Sequence, residues 1–86
     1  MNIHGRVQGV FFRDSTKRRA KKEGVFGYVR NLDNGSVEVV AEGEEENLEE
    51  LMEWCKKGPF LAKVSKVEAE WEDYKGEFNS FKIEYA

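Results

Sequence analysis

Apolar and small residues near the start of the chain recur every four positions, a spacing that predicts a helix. Phe12, Thr16 and Ala20 keep this spacing until Gly24, and glycine commonly caps the C-terminal end of a helix. Several Lys and Arg residues lie in the last turns of the segment, where cations complement the helix dipole. We therefore expect the first helix to begin at Phe12 and to end at Gly24.

A second segment carries the apolar stripe of an amphipathic helix. The stripe falls at positions i, i+3, i+4 and i+7 and consists of Leu48, Leu51, Met52 and Cys55. Acidic residues at 44–46 and lysines at 56–57 match the two ends of a helix dipole, and Gly58-Pro59 terminates the pattern. These signals predict a helix from about Glu45 to Lys57.

The remaining apolar residues follow the period of β-strands. Five strands are expected: residues 2–8, Val25 to Asn31, Val37 to Ala41, a fourth strand marked by Val67, Ala69 and Trp71, and a short fifth strand marked by Phe81, Ile83 and Tyr85. Asp33-Asn34-Gly35-Ser36 lies between the second and third strands. It has the residue types of a tight hairpin, because Asn and Gly tolerate positive φ angles.

The element order, βαββαβ plus a short terminal strand, predicts the fold class. Two βαβ units joined by a hairpin form an α+β, ferredoxin-like split βαβ sandwich, with both helices on one face of a mostly antiparallel sheet. At 86 residues the chain is expected to be a single domain, 1–86, with one small core. We expect Trp54, Trp71 and most of the Phe and Tyr side chains to lie in that core.

The charges of the chain are segregated, although the net charge is only −3. Residues 1–30 contain eight Lys and Arg against two Asp and Glu, whereas residues 31–86 contain six against fifteen. An anion is therefore expected to bind to the N-terminal third. The overall acidity disfavours a nucleic acid as partner, because that interaction needs an extended basic surface.

Cys55 is the only cysteine, which excludes an internal disulfide and a cysteine-based metal cluster and fits a reducing compartment. The longest apolar runs are only a few residues, so neither a signal peptide nor a membrane span is expected. We expect the protein to be a cytoplasmic monomer that does not bind to a membrane.

The segment Gly5-Arg6-Val7-Gln8-Gly9-Val10-Phe11-Phe12 is a turn rich in glycine that leads into the first helix, and Arg13 follows it directly. Main-chain N–H groups at the start of a helix have no intrahelical acceptors and lie at the positive end of the helix dipole. An Arg there adds a planar fork that matches phosphate oxygens. The segment is therefore a candidate site for a phosphate-like anion.

Two segments of the chain closely resemble the signature segments of the acylphosphatase family. The first is this turn together with Arg13, and the second is Gly27-Tyr28-Val29-Arg30-Asn31-Leu32-Asp33-Asn34-Gly35-Ser36-Val37-Glu38. Gly58-Pro59 leading to Ala62-Lys63-Val64 and the closing Phe81-Lys82-Ile83-Glu84-Tyr85 are further similarities. The resemblance covers essentially the whole chain.

The resemblance implies an enzyme that hydrolyses the carboxyl–phosphate bond of small acyl phosphates and releases a carboxylate and inorganic phosphate. It implies that Arg13 binds the phosphate and that Asn31 orients the attacking water. The remaining phosphate oxygens would accept hydrogen bonds from the main-chain amides of Gln8, Gly9, Val10, Phe11 and Phe12. Asn cannot act as a general base, but its amide can hold a water in line with phosphorus. A phosphate oxygen would then take the proton of the water, so the hydrolysis is substrate-assisted.

No metal and no cofactor are expected, because the sequence shows no carboxylate cluster near the loop. His4 is the only histidine, so a His-based triad or metal pair is excluded, and His4 is expected to be a strand residue. Cys55 belongs to the apolar stripe of the second helix and is expected to be a small core residue.

Two alternatives remain open at this stage. An RNA-binding module of the same βαββαβ order would stack bases on strand aromatics, and Phe26 and Tyr28 lie on a strand beside Arg30. Against it, the third strand carries 37–40, Val-Glu-Val-Val, in place of an aromatic-rich signature. The other alternative is the acylphosphatase-like part of a hydrogenase-maturation carbamoyltransferase.

Overall fold

The computed structural model describes residues 1–85 as a five-stranded sheet covered by two helices. In chain order the elements are β1 (Asn2–Arg6), α1 (Phe12–Glu23), β2 (Phe26–Asn31), β3 (Val37–Glu42), α2 (Glu45–Lys57), β4 (Lys63–Glu68) and β5 (Phe81–Glu84). The strand order is β4-β1-β3-β2-β5. Strand β5 pairs with β2 in parallel, and the other neighbouring strands are antiparallel. The predicted ferredoxin-like α+β fold is confirmed.

The helices contact each other, and their apolar faces pack on the sheet. Helix α1 lies against β2 and β5, and α2 lies against β4. Phe12, Thr16 and Ala20 are the buried residues of α1, as their spacing predicts, and the Thr16 hydroxyl donates to the Phe12 main-chain oxygen at 2.7 Å. The bond satisfies a hydroxyl that the core would otherwise leave without a partner. Both helices begin and end where the sequence predicts, with a left-handed Gly24 capping α1.

Strand β1 ends earlier than the expected residue 8. The register against β4 shifts between His4 and Gly5, and Gly5 has a φ of 122°. A side-chain Cβ at Gly5 would collide with the main-chain oxygen of Lys63. The irregularity ends the ladder at Arg6, and the chain then turns away from the sheet into the loop that precedes α1.

The expected fourth strand is wrong in its position. Strand β4 ends at Glu68, before Ala69 and Trp71, whose alternation suggested the strand. Its neighbour in the sheet is β1, and the last pair in their register joins Asn2 to Glu68. Past that pair, residues 1–85 offer the backbone no neighbouring strand to pair with. The alternation of apolar residues is therefore not enough to form a strand here, and the side chain of Trp71 is 52% exposed.

The expectation that the aromatic residues are mainly core is wrong for most of them. Phe12 and Phe81 are buried, and Trp54 packs against the ring of Phe12 with centroids 5.7 Å apart. The large side chains that remain exposed include Phe11, Phe26, Phe60, Trp71, Tyr74 and Tyr85. The core instead includes six valines, which come from β2, β3, the loop before α1 and the position before β2, and the two small helices leave the sheet ends and loops uncovered.

Among residues 1–85, no helix has both the length and the apolar character needed to cross a membrane.

Candidate active site

The loop between β1 and α1 has a backbone in which positive and negative φ angles alternate. Gly9 has a φ of 74°, and Phe11 has a φ of 64° with a ψ of 24°. Val10, between them, is not among the residues with positive φ. Alternation of this kind turns successive N–H groups toward one side and makes a concave anion site.

The main-chain N–H groups of this loop are not used by the described part of the fold. Within residues 1–85, none of the amides from Gln8 to Phe12 donates to a protein acceptor. The first main-chain bond of the helix start runs from the Ser15 N–H to the Phe11 oxygen, at 3.1 Å. The loop therefore offers several unused donors beside the positive end of α1.

The side chain of Gln8 holds the loop against the β2–β3 hairpin. Its Nε2 donates to the main-chain oxygens of Leu32, at 2.8 Å, and Ser36, at 2.9 Å. The hairpin itself is closed by the Leu32 N–H, which donates to the Ser36 oxygen, and by the Asn34 side chain, which accepts from the Ser36 N–H. Gln8 thus fixes the distance between the loop and the end of β2.

Arg13 is the second residue of α1 and is half-buried. Its guanidinium lies under the ring of Tyr85, 5.0 Å from the ring centroid. Within the described part of the chain it forms no salt bridge with a carboxylate. Among residues 1–85 the cation is held by a π face, and the planar fork of its guanidinium has the geometry that binds an anion.

Asn31 is the last residue of β2, opposite Val37 of β3. The side-chain oxygen Oδ1 of Asn31 is buried and has no hydrogen-bond partner among residues 1–85. Buried polar atoms are almost always paired, and an orphan acceptor in a cavity is a position for a ligand or a water.

One cavity of about 300 Å³ brings the two predicted catalytic residues together. Arg13 and Asn31 both line it, and the loop residues Gly9, Phe11 and Phe12 line it with them. Of the five residues whose amides are expected to bind phosphate, Gln8 and Val10 do not line this cavity. The side chain of Gln8 instead bonds to the β2–β3 hairpin, and the side chain of Val10 is buried in the core.

Tyr85 and Ile83 also line the cavity, although the sequence did not predict either of them as a site residue. Because Ile83 and Tyr85 alternate with Phe81, the three side chains are expected to lie on one side of the strand. The parallel pairing of β5 with β2 brings the end of this segment next to Asn31. The pairing of β5 with β2 is a long-range contact that no local pattern indicates.

The strand surface considered for RNA binding is occupied by an acidic residue. Glu38 of β3 accepts from Nε of Arg30 at 2.7 Å and from the hydroxyl of Tyr28 at 3.3 Å. A carboxylate between the aromatic residue and the cation repels a phosphate backbone. The surface therefore gives no support to the RNA-binding alternative.

The other candidate residues have structural roles. His4 lies on β1, with its Nε2 2.7 Å from a carboxylate oxygen of Glu68. Cys55 is a free, fully buried thiol, and burial raises its pKa to about 12, which is unsuitable for a nucleophile. Residues 1–85 contain no group of three or more His, Cys, Asp or Glu side chains placed to hold a metal ion.

Comparison with known proteins gives one consistent result. The family profile described as acylphosphatase matches residues 1–83. A protein of Pelotomaculum thermopropionicum named acylphosphatase is 49% identical over 83 residues, which are 96% of this chain and 90% of that protein. The crystal structure of acylphosphatase from Bacillus subtilis superposes with a TM-score of 0.94 at 36% identity, covering 98% of this chain and 93% of that one.

A larger protein contains a similar unit. The crystal structure of HypF from T. kodakarensis matches with a TM-score of 0.83 at 33% identity, and the match covers 100% of this chain but 12% of that one. The likeness is thus to one small part of that protein, whereas the two acylphosphatases match over most of their length.

Proposed function

Since the chain belongs to the acylphosphatase family, we propose that Arg13 and the loop amides bind the phosphate of an acyl phosphate while Asn31 positions the water that attacks it. The chain is an acylphosphatase, an enzyme that cleaves the carboxyl–phosphate bond. Its substrate class is therefore acyl phosphates and its product inorganic phosphate.

The observation that carries the proposal is the unpartnered Oδ1 of Asn31. This buried acceptor belongs to a side chain that lines the same cavity as Arg13. A water placed there can donate one hydrogen bond to Oδ1, which directs a lone pair of the water oxygen toward a phosphate held by Arg13. An acceptor and a cation on one cavity are the two features that in-line attack on a bound phosphate requires.

The phosphate is bound by donors that stay in place throughout the reaction. The main-chain N–H groups from Gln8 to Phe12 and the guanidinium of Arg13 donate to the non-bridging oxygens, with the positive end of the α1 dipole behind them. Fixed donors of this kind stabilise charge as it shifts in the transition state without having to reorganise. The same donors neutralise charge that a metal ion neutralises in many phosphoryl-transfer enzymes.

The hydrolysis needs no basic side chain to remove a proton from the attacking water. The water oxygen forms a bond to phosphorus, and the bond between phosphorus and the acyl oxygen breaks. The electron pair of that bond leaves on the carboxylate, which is a stable anion. A non-bridging phosphate oxygen accepts the proton of the water, so the products are a carboxylate and inorganic phosphate. Asn31 orients the water but does not take its proton.

The test is release of phosphate from acetyl phosphate by the purified chain, with and without a chelator. We expect turnover that the chelator leaves unchanged. A chelator-sensitive rate would show that a metal supplies the charge assigned here to Arg13 and the amides. Binding of labelled RNA is measured in parallel, and tight salt-dependent binding without turnover would favour the RNA-binding alternative.

We further propose that the protein acts in the cytoplasm as a monomer and without a nucleic acid partner. The single buried thiol of Cys55 suits a reducing compartment, and the acidic residues at 31–86 repel nucleic acid. Sedimentation velocity at micromolar concentration is expected to give the mass of one chain, 10.0 kDa. A concentration-dependent larger species would contradict the monomer.

A further inference from the structure

Two aromatic side chains lie at the rim of the cavity that contains Arg13 and Asn31, and the proposed mechanism assigns neither ring a contact with the substrate. The side chain of Phe11 is 69% exposed and that of Tyr85 is 75% exposed, yet both line this cavity. Single exposed apolar residues are ordinary on protein surfaces. Two aromatic rings beside one small cavity with a few polar groups are typical of a site for a small molecule.

The backbone of Phe11 is strained in a way that its side chain does not explain. It is the only non-glycine residue with a positive φ within residues 1–85. The left-handed conformation is unfavourable for a bulky L residue and free of cost for glycine. The backbone conformation of the turn therefore favours glycine at position 11. The Phe11 ring is too exposed for its burial to compensate for the strain. Strain of this type accumulates at functional sites.

Tyr85 reaches the cavity from the opposite end of the chain. In the parallel register of β5 and β2, Glu84 pairs with Arg30, so Tyr85 follows β5 at the level of Asn31. Its ring covers the Arg13 guanidinium, with 5.0 Å between the charge centre and the ring centroid. The match to the family profile ends at residue 83, before Tyr85.

The geometry of an acyl phosphate places its acyl group near these rings. A single oxygen joins the acyl carbon to phosphorus, so the group begins within about two bonds of the phosphate. Phe11 belongs to the loop that offers the phosphate-binding amides, and Tyr85 covers the phosphate-binding cation. With the phosphate bound in the proposed way, the acyl group extends to a rim whose large exposed side chains are these two aromatic rings.

From this arrangement we infer that Phe11 and Tyr85 bind the acyl group and make the enzyme selective for acyl phosphates with a flat, apolar acyl group. The inference rests on the proposed function, because it takes the phosphate to be bound at Arg13 and the loop. An aromatic acyl group offers a flat apolar face to aromatic rings at the rim, whereas the methyl of an acetyl group offers little apolar surface. Each ring is worth a factor of roughly three to ten in kcat/KM, the size of one aromatic contact.

The experiment compares benzoyl phosphate with acetyl phosphate. The ratio of their kcat/KM values is measured for the wild type and for Phe11→Ala and Tyr85→Ala. Alanine keeps the Cβ, so Phe11→Ala keeps the unfavourable backbone and removes only the ring. Matched controls are Phe60→Ala and Tyr74→Ala, since these rings are 99% and 72% exposed and do not line this cavity.

We expect the wild type to favour benzoyl phosphate, each site variant to lower the ratio, and each control to leave it unchanged. Tyr85→Ala is also expected to slow acetyl phosphate hydrolysis by releasing Arg13, and the ratio separates this effect from selectivity. A ratio that stays constant in both site variants would overturn the inference while leaving the proposed function intact. A wild type that turns over neither compound would instead contradict the proposed function.

A binding measurement separates recognition of the acyl group from the chemical step. Benzylphosphonate and methylphosphonate have a C–P bond that this reaction does not cleave, and they differ only in the group attached to the phosphonate. We expect benzylphosphonate to inhibit acetyl phosphate hydrolysis more strongly in the wild type and to lose this advantage in Phe11→Ala. Equal inhibition constants for the two compounds in the wild type would show that the rings do not bind an apolar group.

Discussion

The side-chain amide of Gln8 donates to the main-chain oxygen of Leu32 at 2.8 Å, and Leu32 follows Asn31 directly. The same amide also donates to the Ser36 oxygen. One side chain therefore connects the loop that carries the free amides to the strand end that carries the orphan acceptor. The relative position of phosphate and water depends on this connection.

Replacing Gln8 by Glu should uncouple these two parts of the site. A carboxylate cannot donate to the oxygens of Leu32 and Ser36, and it would face them as a third acceptor. We expect the free energy of unfolding to fall by about 1–3 kcal/mol and kcat to fall by about tenfold or more. Urea denaturation and steady-state kinetics check both. Unchanged kcat in the folded variant would show that the bonds support the fold but not the geometry of the reaction.

Arg13→Lys is expected to reduce kcat/KM for acetyl phosphate by about 10²–10³-fold. Lysine keeps the charge but loses the planar fork that binds two phosphate oxygens at once. Arg13→Ala should lower the rate further and weaken inhibition by inorganic phosphate. The control is Arg18→Lys, an exposed residue on the same helix that does not line the cavity. Activity near wild type in Arg13→Lys would contradict bidentate binding.

Asn31→Ala should separate phosphate binding from hydrolysis. The variant loses the acceptor that orients the water, so we expect kcat to fall by about 10²-fold or more while the inhibition constant of phosphate changes little. Asn31→Asp is expected to be inactive and to bind phosphate poorly, because it places a negative charge in the cavity. If Asn31→Ala weakened phosphate binding and left kcat intact, Asn31 would be a phosphate ligand.

Gly27→Ala tests how β2 is held in the sheet. Gly27 has a φ of 146°, and a Cβ there would collide with the main-chain oxygen of Val40 on β3. We expect a loss of about 3 kcal/mol or more in unfolding free energy, since both backbone and side chain are obstructed. Gly35→Ala is the comparison, because its Cβ meets open space at a φ of 90° and costs only about 1 kcal/mol of backbone strain. Thermal or urea denaturation measures the difference.

Cys55 should make the stability depend on alkaline pH. Burial raises the pKa of its thiol from the ordinary 9.0 to about 12. Below about pH 9 the thiol is protonated in both states, and its contribution to stability is fully present. Between about pH 9 and 12 only the unfolded chain releases the proton, so stability falls by up to roughly 1.4 kcal/mol per pH unit.

The measurement is urea denaturation of the wild type and of Cys55→Ala at several pH values between 8 and 11. Subtracting the two series removes the effect of the Lys and Tyr residues that titrate in the same range. The advantage of the wild type over the variant is expected to shrink as the pH rises. A constant difference would mean that the thiol is accessible to water in the folded protein.

Local sequence pattern predicted the helices better than the strands. The spacing of Phe12, Thr16 and Ala20 reports a helix face directly, because neighbours on a helix are three or four residues apart in the chain. A strand needs a partner that can lie anywhere in the sequence. The alternation of Val67, Ala69 and Trp71 therefore predicted a strand in a place where the sheet supplies no partner past Glu68.

The sequence by itself determined the element order, the helix boundaries, the glycine-rich loop before Arg13 and the strand ending at Asn31. These features depend on residue types and spacings within a few positions. Only the tertiary structure decided that Asn31 has a buried acceptor with no partner among residues 1–85, that Gln8 bonds the loop to Leu32, and that the Tyr85 ring covers Arg13. Those contacts join residues that are distant in the chain, and the order of strands in the sheet brings them together.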